Sequence, residues 1–358
     1  MSMKAGRKSL SSKIKGVILK RISKKRAIAF DPSTLNKIVI LRYDRIGDLI
    51  VSLPFITALK NSFPNAEITV IGSRVNASLA ATSDCIDRVL VKPKLVTSWI
   101  KMLLKLRLEN ISMIVHLSHS VEKHALFAQL VIQAPYNATP YKDGRYGVSG
   151  TELEIYNVMP QQHPAKYDRP IAETFLDIAR LINCDLSGTI PYPINDDSPR
   201  TVEQPYILIN RLGSRKGMKI KDEDVTKIAD MIQKEMPKSL VVIKPQKQEV
   251  EELQKNRLSR HGGIRILTPS TDFLPMINLV RNASMVVTPD TSLVHVASAF
   301  SVPLVAVYCD SPEQFAQWQP LHNGFYEVIF STCRTSLKGY SSDELMQACA
   351  KWIQKNKL

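Results

Sequence analysis

Three short stretches hold side chains whose types and spacing suit acid–base and phosphate chemistry. In RYDRIGDLIVSLP (42–54), Arg42, Asp44, Gly47 and Asp48 sit where an apolar run hands over to a helical pattern. Asp48 falls at the expected helix start, where free backbone N–H groups and the positive end of the dipole favour a carboxylate. A plain helix cap is sufficient to explain it. The same ionised carboxylate, beside a cleft, can accept a proton from an attacking hydroxyl. Gly47, expected in the turn, can take backbone angles closed to other residues and leaves room for a ligand. Asp44 is less constrained and is expected to face solvent or a basic neighbour.

In MVVTPDTSLVHVASAF (285–300), a buried run ends at Thr288, Pro289 and Asp290 turn the chain, and Thr291 and Ser292 open a helix. Those hydroxyls and the helix-start amides suit a phosphate or diphosphate, and serve equally as an N-cap. His295 lies one turn later, placed either to hydrogen-bond the same ligand or to brace the loop. No GxxxxGK[ST] pattern is present, which disfavours nucleoside triphosphate hydrolysis. In NRLGSRKGMKIKDED (210–224), Arg211, Arg215, Lys216, Lys219 and Lys221 flank a glycine-bearing loop. Such cations can neutralise a diphosphate leaving group in place of a divalent metal, or form a solvated basic loop.

The elements that must position these groups alternate along the chain. Apolar β-rich runs at 37–43, 67–72, 88–91 and 113–117 are separated by helical patterns at 48–62, 75–82 and 97–108, and 120–132 continues the series. Continuous apolar strands between helices imply a parallel sheet covered on both faces. Residues 135–170 read as irregular loops, followed by a helix at 171–183. The proline-bearing stretch 185–205 is the best linker. Beyond it the alternation restarts, with strands at 206–210, 239–244, 264–267, 285–288 and 303–308, and a final helix at 342–355. Two Rossmann-like halves of this kind create a cleft, with ligands expected at the carboxyl ends of the strands.

The length of 358 residues agrees with two α/β domains, and 44 % hydrophobic with 23 % charged residues is a globular composition. No apolar run reaches the roughly 18 residues of a spanning helix, and the basic N-terminus lacks a secretory core, so a cytosolic, membrane-touching protein is expected. Five scattered cysteines without a CxxC pair read as reduced, with neither a disulfide frame nor a zinc site. The net charge of +15 is concentrated: residues 1–30 carry ten Lys/Arg and no acid. Leu10, Ile14, Ile18 and Ile22 recur every fourth residue there, flanked by Lys13, Lys15, Lys20, Arg21 and Lys24. Such a helix suits an anionic bilayer, at about 1 kcal/mol per cation; a disordered basic tail is the alternative. No aromatic residue precedes Phe30, which argues against nucleic acid.

Taken together, ILRYDRIGDLIVSLPFITALKNSFPNAEITVIGSRVN and VVTPDTSLVHVASAFSVPLVAVY resemble the heptosyltransferase family, the ADP-heptose:lipopolysaccharide glycosyltransferases of Gram-negative bacteria. The resemblance covers roughly residues 36–356. It implies a GT-B fold, two Rossmann-like doubly wound domains facing across a cleft, and an inverting reaction that needs neither metal nor cofactor. Carried over residue by residue, Asp48 becomes the base for the acceptor hydroxyl. Asp290, Thr291, Ser292 and His295 lie near the diphosphate and sugar of the donor. Lys219, or Lys216, becomes the lysine after the first C-terminal strand, and Glu249 the ribose-binding acid; Arg211 joins the donor side. Arg42, Asp44 and Gly47 form the loop on the acceptor side.

Two departures loosen the choice of donor. KIKDED stands where the family has tryptophan–proline after its lysine, and KPQKQE replaces a glycine pair. The implied organisation is a basic tail at 1–30, an acceptor-side domain at 36–185, a linker at 186–204, a nucleotide-sugar domain at 205–340 and a last helix at 341–358 packing back on the first domain. The expected partners are a nucleotide-sugar donor, an anionic lipopolysaccharide core acceptor and the cytoplasmic face of the inner membrane. Transfer of another sugar (hexose or N-acetylhexosamine) and catalytically silent binding of sugar nucleotide or glycolipid are the rivals. A dinucleotide oxidoreductase is discounted, because no GxGxxG follows a strand.

Overall fold

KIVILR and EITVIG carry apolar side chains on both faces, as strands buried under helices on both sides must. In the computed structural model both enter parallel sheets. The structure describes residues 16–23, 28–143, 145, 148–161, 168–187, 192–213 and 215–356. The chain divides into two units, the first formed by residues 1–166 and 171–189, the second by 167–170 and 190–358.

The first unit begins, among the described residues, with a short helix α1 (16–22). It continues through β1 (Lys37–Arg42), α2 (Ile46–Ile50), α3 (Leu53–Ser62), β2 (Glu67–Gly72), α4 (Ala77–Ala80), β3 (Arg88–Val91) and α5 (Val96–Leu108). Then come β4 (Met113–His116), α6 (Lys123–Ile132), β5 (Tyr136–Ala138) and α7 (Ile171–Leu181). The sheet order is β3-β2-β1-β4-β5, parallel throughout. Val39, Leu41 and Ile114 pack against Trp99, Leu103 and Leu106 of α5 and Ala125 and Ala128 of α6. Burial of each large side chain there contributes roughly 1.5–3 kcal/mol. Helix α1 docks through Leu19 beside Val121 and Leu126, and Lys20 pairs with Glu152.

The single helix expected over 48–62 is two helices. The chain bends at Val51–Ser52, where Ser52 N–H turns back to the Leu49 carbonyl, and Pro54 sits in the first turn of α3, where its missing N–H costs nothing. Strand β5 falls inside the stretch expected to be loop. Three residues among prolines and glycines give no periodic signal.

The second unit runs β6 (Tyr206–Ile209), α8 (Asp222–Glu235), β7 (Leu240–Ile243), α9 (Val250–Lys255), β8 (Ile264–Ile266), α10 (Leu274–Arg281) and β9 (Met285–Pro289). It ends with α11 (Ser292–Ala299), β10 (Leu304–Tyr308), α12 (Pro312–Trp318), β11 (Tyr326–Phe330) and α13 (Ser342–Lys355). Its sheet is β11-β10-β9-β6-β7-β8, also parallel. The sequence reading did not anticipate α12 and β11. From Tyr192 onward the expected linker belongs to this unit, where Asn278 Nδ2 donates to Asp196 and Ser198 and its Oδ1 accepts from Thr201.

The last helix is anchored in the second unit. Leu345, Ala348, Cys349, Trp352 and Ile353 form one stripe of α13 and are buried in the core of the second unit beside α8, β10 and β11. Tyr340 and Ser342 fasten its start, their hydroxyls donating to Asp224 Oδ2 at 2.5 and 2.9 Å. An amphipathic stripe this complete needs a sheet to cover, and it finds one in its own unit.

Both sheets follow the doubly wound order in which the first and fourth strands are neighbours. Connections leave these strands in opposite directions, so the chain parts at their carboxyl ends and opens a crevice there. In the first unit that switch point lies between β1 and β4, and in the second between β6 and β9.

Candidate active site

At the first switch point, β1 ends in Arg42, which is buried. Its Nη1 donates to Asp44 Oδ2 at 2.9 Å and to the Leu117 carbonyl, and its Nε donates to the Asp48 carbonyl at 2.7 Å. Nη2 is buried 3.6 Å from Asp48 Oδ1, with no hydrogen-bond partner among the described residues. Asp48 is the third residue of α2, and its Oδ2 accepts the Arg45 N–H at 3.1 Å. One oxygen therefore serves the helix start, as a cap would. The other remains beside Arg42, on a side chain that keeps 21 % of its surface.

Asp44 is paired with Arg42, and its side chain keeps only 36 % of its surface, the rest being packed against protein. Desolvation pushes its pKa up to about 6; Arg42 opposes the shift, and the carboxylates of Asp48 and Glu122 add to it. Gly47 departs from expectation. It lies within α2 and not in the turn, and it is not among the positive-φ glycines, so helix geometry rather than left-handed freedom describes it.

Across the switch point β4 brings a cluster that sequence reasoning missed. His116 pairs in register with Leu41 of β1 and is buried. Lys142 Nζ lies 3.0 Å from His116 Nδ1 and also donates to the Ser118 carbonyl, while Glu122 lies 3.5 Å from His116 Nε2. Burial and then Lys142 push the His116 pKa down to about 4, so the imidazole is neutral near pH 7. A neutral ring protonated on Nε2 donates to Glu122 and accepts from Lys142, which satisfies both partners. Glu122 is held down to about 2, first by that hydrogen bond. The signal was HLSHS directly after an apolar strand. Lys142, from the expected loop, had none.

At the second switch point β9 ends in Pro289 and Asp290 follows. Thr291 caps α11, its Oγ1 accepting the Leu293 N–H at 3.3 Å. The same hydroxyl lies 3.0 Å from Thr288 Oγ1 and 3.4 Å from Asn210 Nδ2, so β6 and β9 jointly fix the turn. Ser292 opens the helix and is partly exposed. Gln314 Nε2 donates to Asp290 Oδ2 at 3.2 Å. Burial pushes the Asp290 pKa up to about 6, with Arg215 nearby opposing the rise.

Of the two roles open to His295, the structure takes the brace. The ring is buried, its Nδ1 is 3.2 Å from the Tyr192 hydroxyl, and Tyr192 meets it edge-on at 5.1 Å. Burial drives its pKa down to about 3, which keeps it neutral. Tyr192 in turn accepts the Leu321 N–H at 3.3 Å.

The basic loop separates into two sets. Arg211 is fully buried and paired with Asp222 at 2.7 Å, Glu249 at 3.3 Å and Glu252 at 2.9 Å. Lys219 is 2.5 Å from Glu252 and 3.4 Å from Asp222. Glu249 is buried too, and its other oxygen accepts the Gln246 N–H at 2.8 Å. Arg211 and Glu249, expected to touch the donor, instead tie β6, α8 and α9 together, and Lys219 is half committed to the same network. The reason is charge balance: two cations meet three carboxylates. Arg215 and Lys216 remain exposed at the tip between Leu212 and Lys219, which bridge antiparallel. Gly217 closes that tip at φ +85, a conformation other residues reach only with strain.

Among the described residues, no group of three or more His, Cys, Asp or Glu side chains is arranged to hold a metal ion. The positions around 290–292, 215 and 216 combine exposed cations with helix-start amides and suit an anion, and Asp48 supplies a partly exposed carboxylate.

Residues 179–336 match the family described as glycosyltransferase family 9 (heptosyltransferase). No curated protein matches the chain. Among solved structures, a glycosyltransferase family 9 protein of Veillonella parvula is similar, at 14 % identity and TM-score 0.73 over 90 % of this chain and 98 % of that one. The ADP-heptose lipopolysaccharide heptosyltransferase II of E. coli is similar at 18 % identity and TM-score 0.71, over 90 % and 100 % of the two chains. E. coli heptosyltransferase WaaC, solved with ADP, follows at 16 % and TM-score 0.66, over 88 % and 99 %. These likenesses establish the GT-B fold.

Proposed function

We propose that this chain, a glycosyltransferase with a family 9 domain over residues 179–336, moves a heptose from ADP-heptose to the core of lipopolysaccharide or lipooligosaccharide. In this reading the anomeric centre is inverted and no metal takes part. Asp48 accepts the proton of the acceptor hydroxyl as its oxygen bonds to the anomeric carbon. The bond from that carbon to the diphosphate breaks, and ADP leaves. Arg215, Lys216 and the amides at the start of α11 meet the charge on the departing phosphates, with Lys219 contributing what its acids leave.

The observation that carries the reading is the division of labour within Asp48: Oδ2 is held by the Arg45 N–H, and Oδ1 stands 3.6 Å from Arg42 with the side chain still open to solvent. A carboxylate fixed at one oxygen, faced at the other by a cation that makes no hydrogen bond to it, and still partly open to solvent is what a positioned base requires. The E. coli proteins solved with ADP and with ADP-2-deoxy-2-fluoro heptose support the choice of donor. The working place we propose is the cytoplasmic face of the inner membrane. Among the described residues no helix is long and apolar enough to cross a membrane. Val17, Ile18 and Ile22 of α1 are exposed, as a surface-lying helix would have them; Leu10 and Ile14 of the expected stripe lie outside the described residues.

Thermal-shift titration with ADP-, UDP- and GDP-sugars, followed by turnover with the best binder, tests the assignment. ADP-heptose should give the largest shift and be consumed. A preference for a UDP- or GDP-sugar overturns the heptose donor.

A further inference from the structure

Helix α5 has two apolar faces, and covering a sheet explains only one of them. Trp99, Leu103 and Leu106 face the core. On the opposite side Leu104 and Leu108 stand one turn apart and exposed, Leu108 at 83 %, and the chain entering the helix adds Leu95 at 70 % and Val96 at 68 %. Lys101 and Lys105 border this stripe on one side and Arg107 on the other, with Lys94 at its start, all exposed. Glu109 is the one acid in residues 94–109, and it is committed to Arg88 at 2.6 Å. Helix α6, packed beside α5, also has Phe127 and Lys123 exposed.

We propose that the outer face of α5 is a second membrane-docking surface, built into the folded first unit and specific for an anionic bilayer. It rests on the reading that the enzyme works at a membrane, and extends it from the basic tail to the domain itself. Leucines flanked by lysine and arginine let the apolar stripe enter the headgroup region while the cations meet lipid phosphates. Charge selects this occupant over a second copy of the chain. A two-fold contact would lay the patch on itself and press Lys101, Lys105 and Arg107 against their own counterparts. Anionic headgroups neutralise them. The surface would hold the acceptor-side unit at the leaflet that displays a lipid-linked acceptor.

The test is sedimentation of the full chain with vesicles of phosphatidylethanolamine and phosphatidylglycerol, comparing wild type with Leu104→Gln/Leu108→Gln and Lys101→Gln/Lys105→Gln. Each pair should lower partitioning at least about tenfold, since each cation near such a surface contributes about a factor of five. All four side chains are exposed, so thermal unfolding should not change. Unaltered partitioning in both variants overturns the proposal, as does equal binding of wild type to neutral phosphatidylcholine vesicles. Sedimentation velocity covers the remaining occupant: a dimer lost in the leucine variant, with vesicle binding intact, gives the surface to a second copy and overturns the proposal. Transfer to a soluble core fragment should be the same in both variants and wild type. If wild type turns over no donor yet the variants lose vesicle binding, the proposed reaction falls and this surface stands.

Discussion

Arg42 holds Asp48 through two different parts of the same residue: Nε donates to its carbonyl oxygen at 2.7 Å, and Nη2 stands 3.6 Å from its Oδ1. The guanidinium is buried at the end of β1 and also takes Asp44 at 2.9 Å. Its place is therefore set by the strand, and it transmits that rigidity to the start of α2. A base must hold its position to within a fraction of an ångström to be effective, and a buried fork of donors is suited to the task.

Replacing Asp48 with Asn keeps the shape and removes the proton acceptor. We expect kcat to fall by about a hundred- to ten-thousand-fold, the span of general-base contributions. Melting temperature and donor dissociation constant should stay close to wild type. Normal turnover in Asp48→Asn would sink the assignment of the base.

The split of the basic loop predicts two kinds of variant. Arg211→Met leaves Glu249 buried without its cation, a change of about 3–5 kcal/mol against folding, and the melting temperature should drop by on the order of 10 °C. Lys216→Ala removes an exposed charge and should alter stability by less than about 0.5 kcal/mol. Its effect should appear instead as roughly tenfold weaker binding of ADP, the loss of one phosphate contact. Calorimetric titration with ADP beside thermal melts separates the two. If Lys216→Ala melts early with unchanged ADP affinity, the loop is structural at that position.

His295 predicts a pH dependence of stability. The unfolded ring takes up a proton below its ordinary pKa near 6.5, whereas the folded, buried ring waits until about 3. Through that window the unfolded state binds more protons, so the ring's contribution to stability falls as pH falls, with a slope of up to about 1.4 kcal/mol per pH unit. Comparing His295→Gln with wild type removes this one group while leaving the other titrating residues. The variant's loss of stability between pH 6.5 and 4.5 should be shallower, measured by denaturant titration at each pH. Parallel curves would mean that the imidazole is protonated when folded.

What the sequence allowed us to read divides along physical lines. Strand–helix alternation is local, so the two sheets and the order of most elements were legible, and the turn after each first strand marked where chemistry should lie. The place of Asp48 in the first turn of a helix was legible because a carboxylate suits that position. Partner choice was not. Arg211 and Glu249 are 38 positions apart, and nothing in either segment says that they meet as an ion pair rather than around a ligand. Lys142 and His116 are 26 apart, and the lysine comes from a stretch without periodicity. Helix α5 was visible as a helix; that its outer face is also apolar becomes clear only once its inner face is known.

The placement of α13 sets the order in which this protein can mature. The side of its sheet beside β10 and β11 is covered by Leu345, Cys349, Trp352 and neighbouring side chains of α13, which follow every strand of that sheet in the chain. Domains generally fold in the order in which they leave the ribosome. The first unit has its covering helices by residue 181, yet the second keeps an apolar flank bare until residues 342–355 emerge. A translational stall or a protease cut just upstream of Ser341 would leave that flank exposed to aggregation and chaperone capture, while the first unit had already taken its shape.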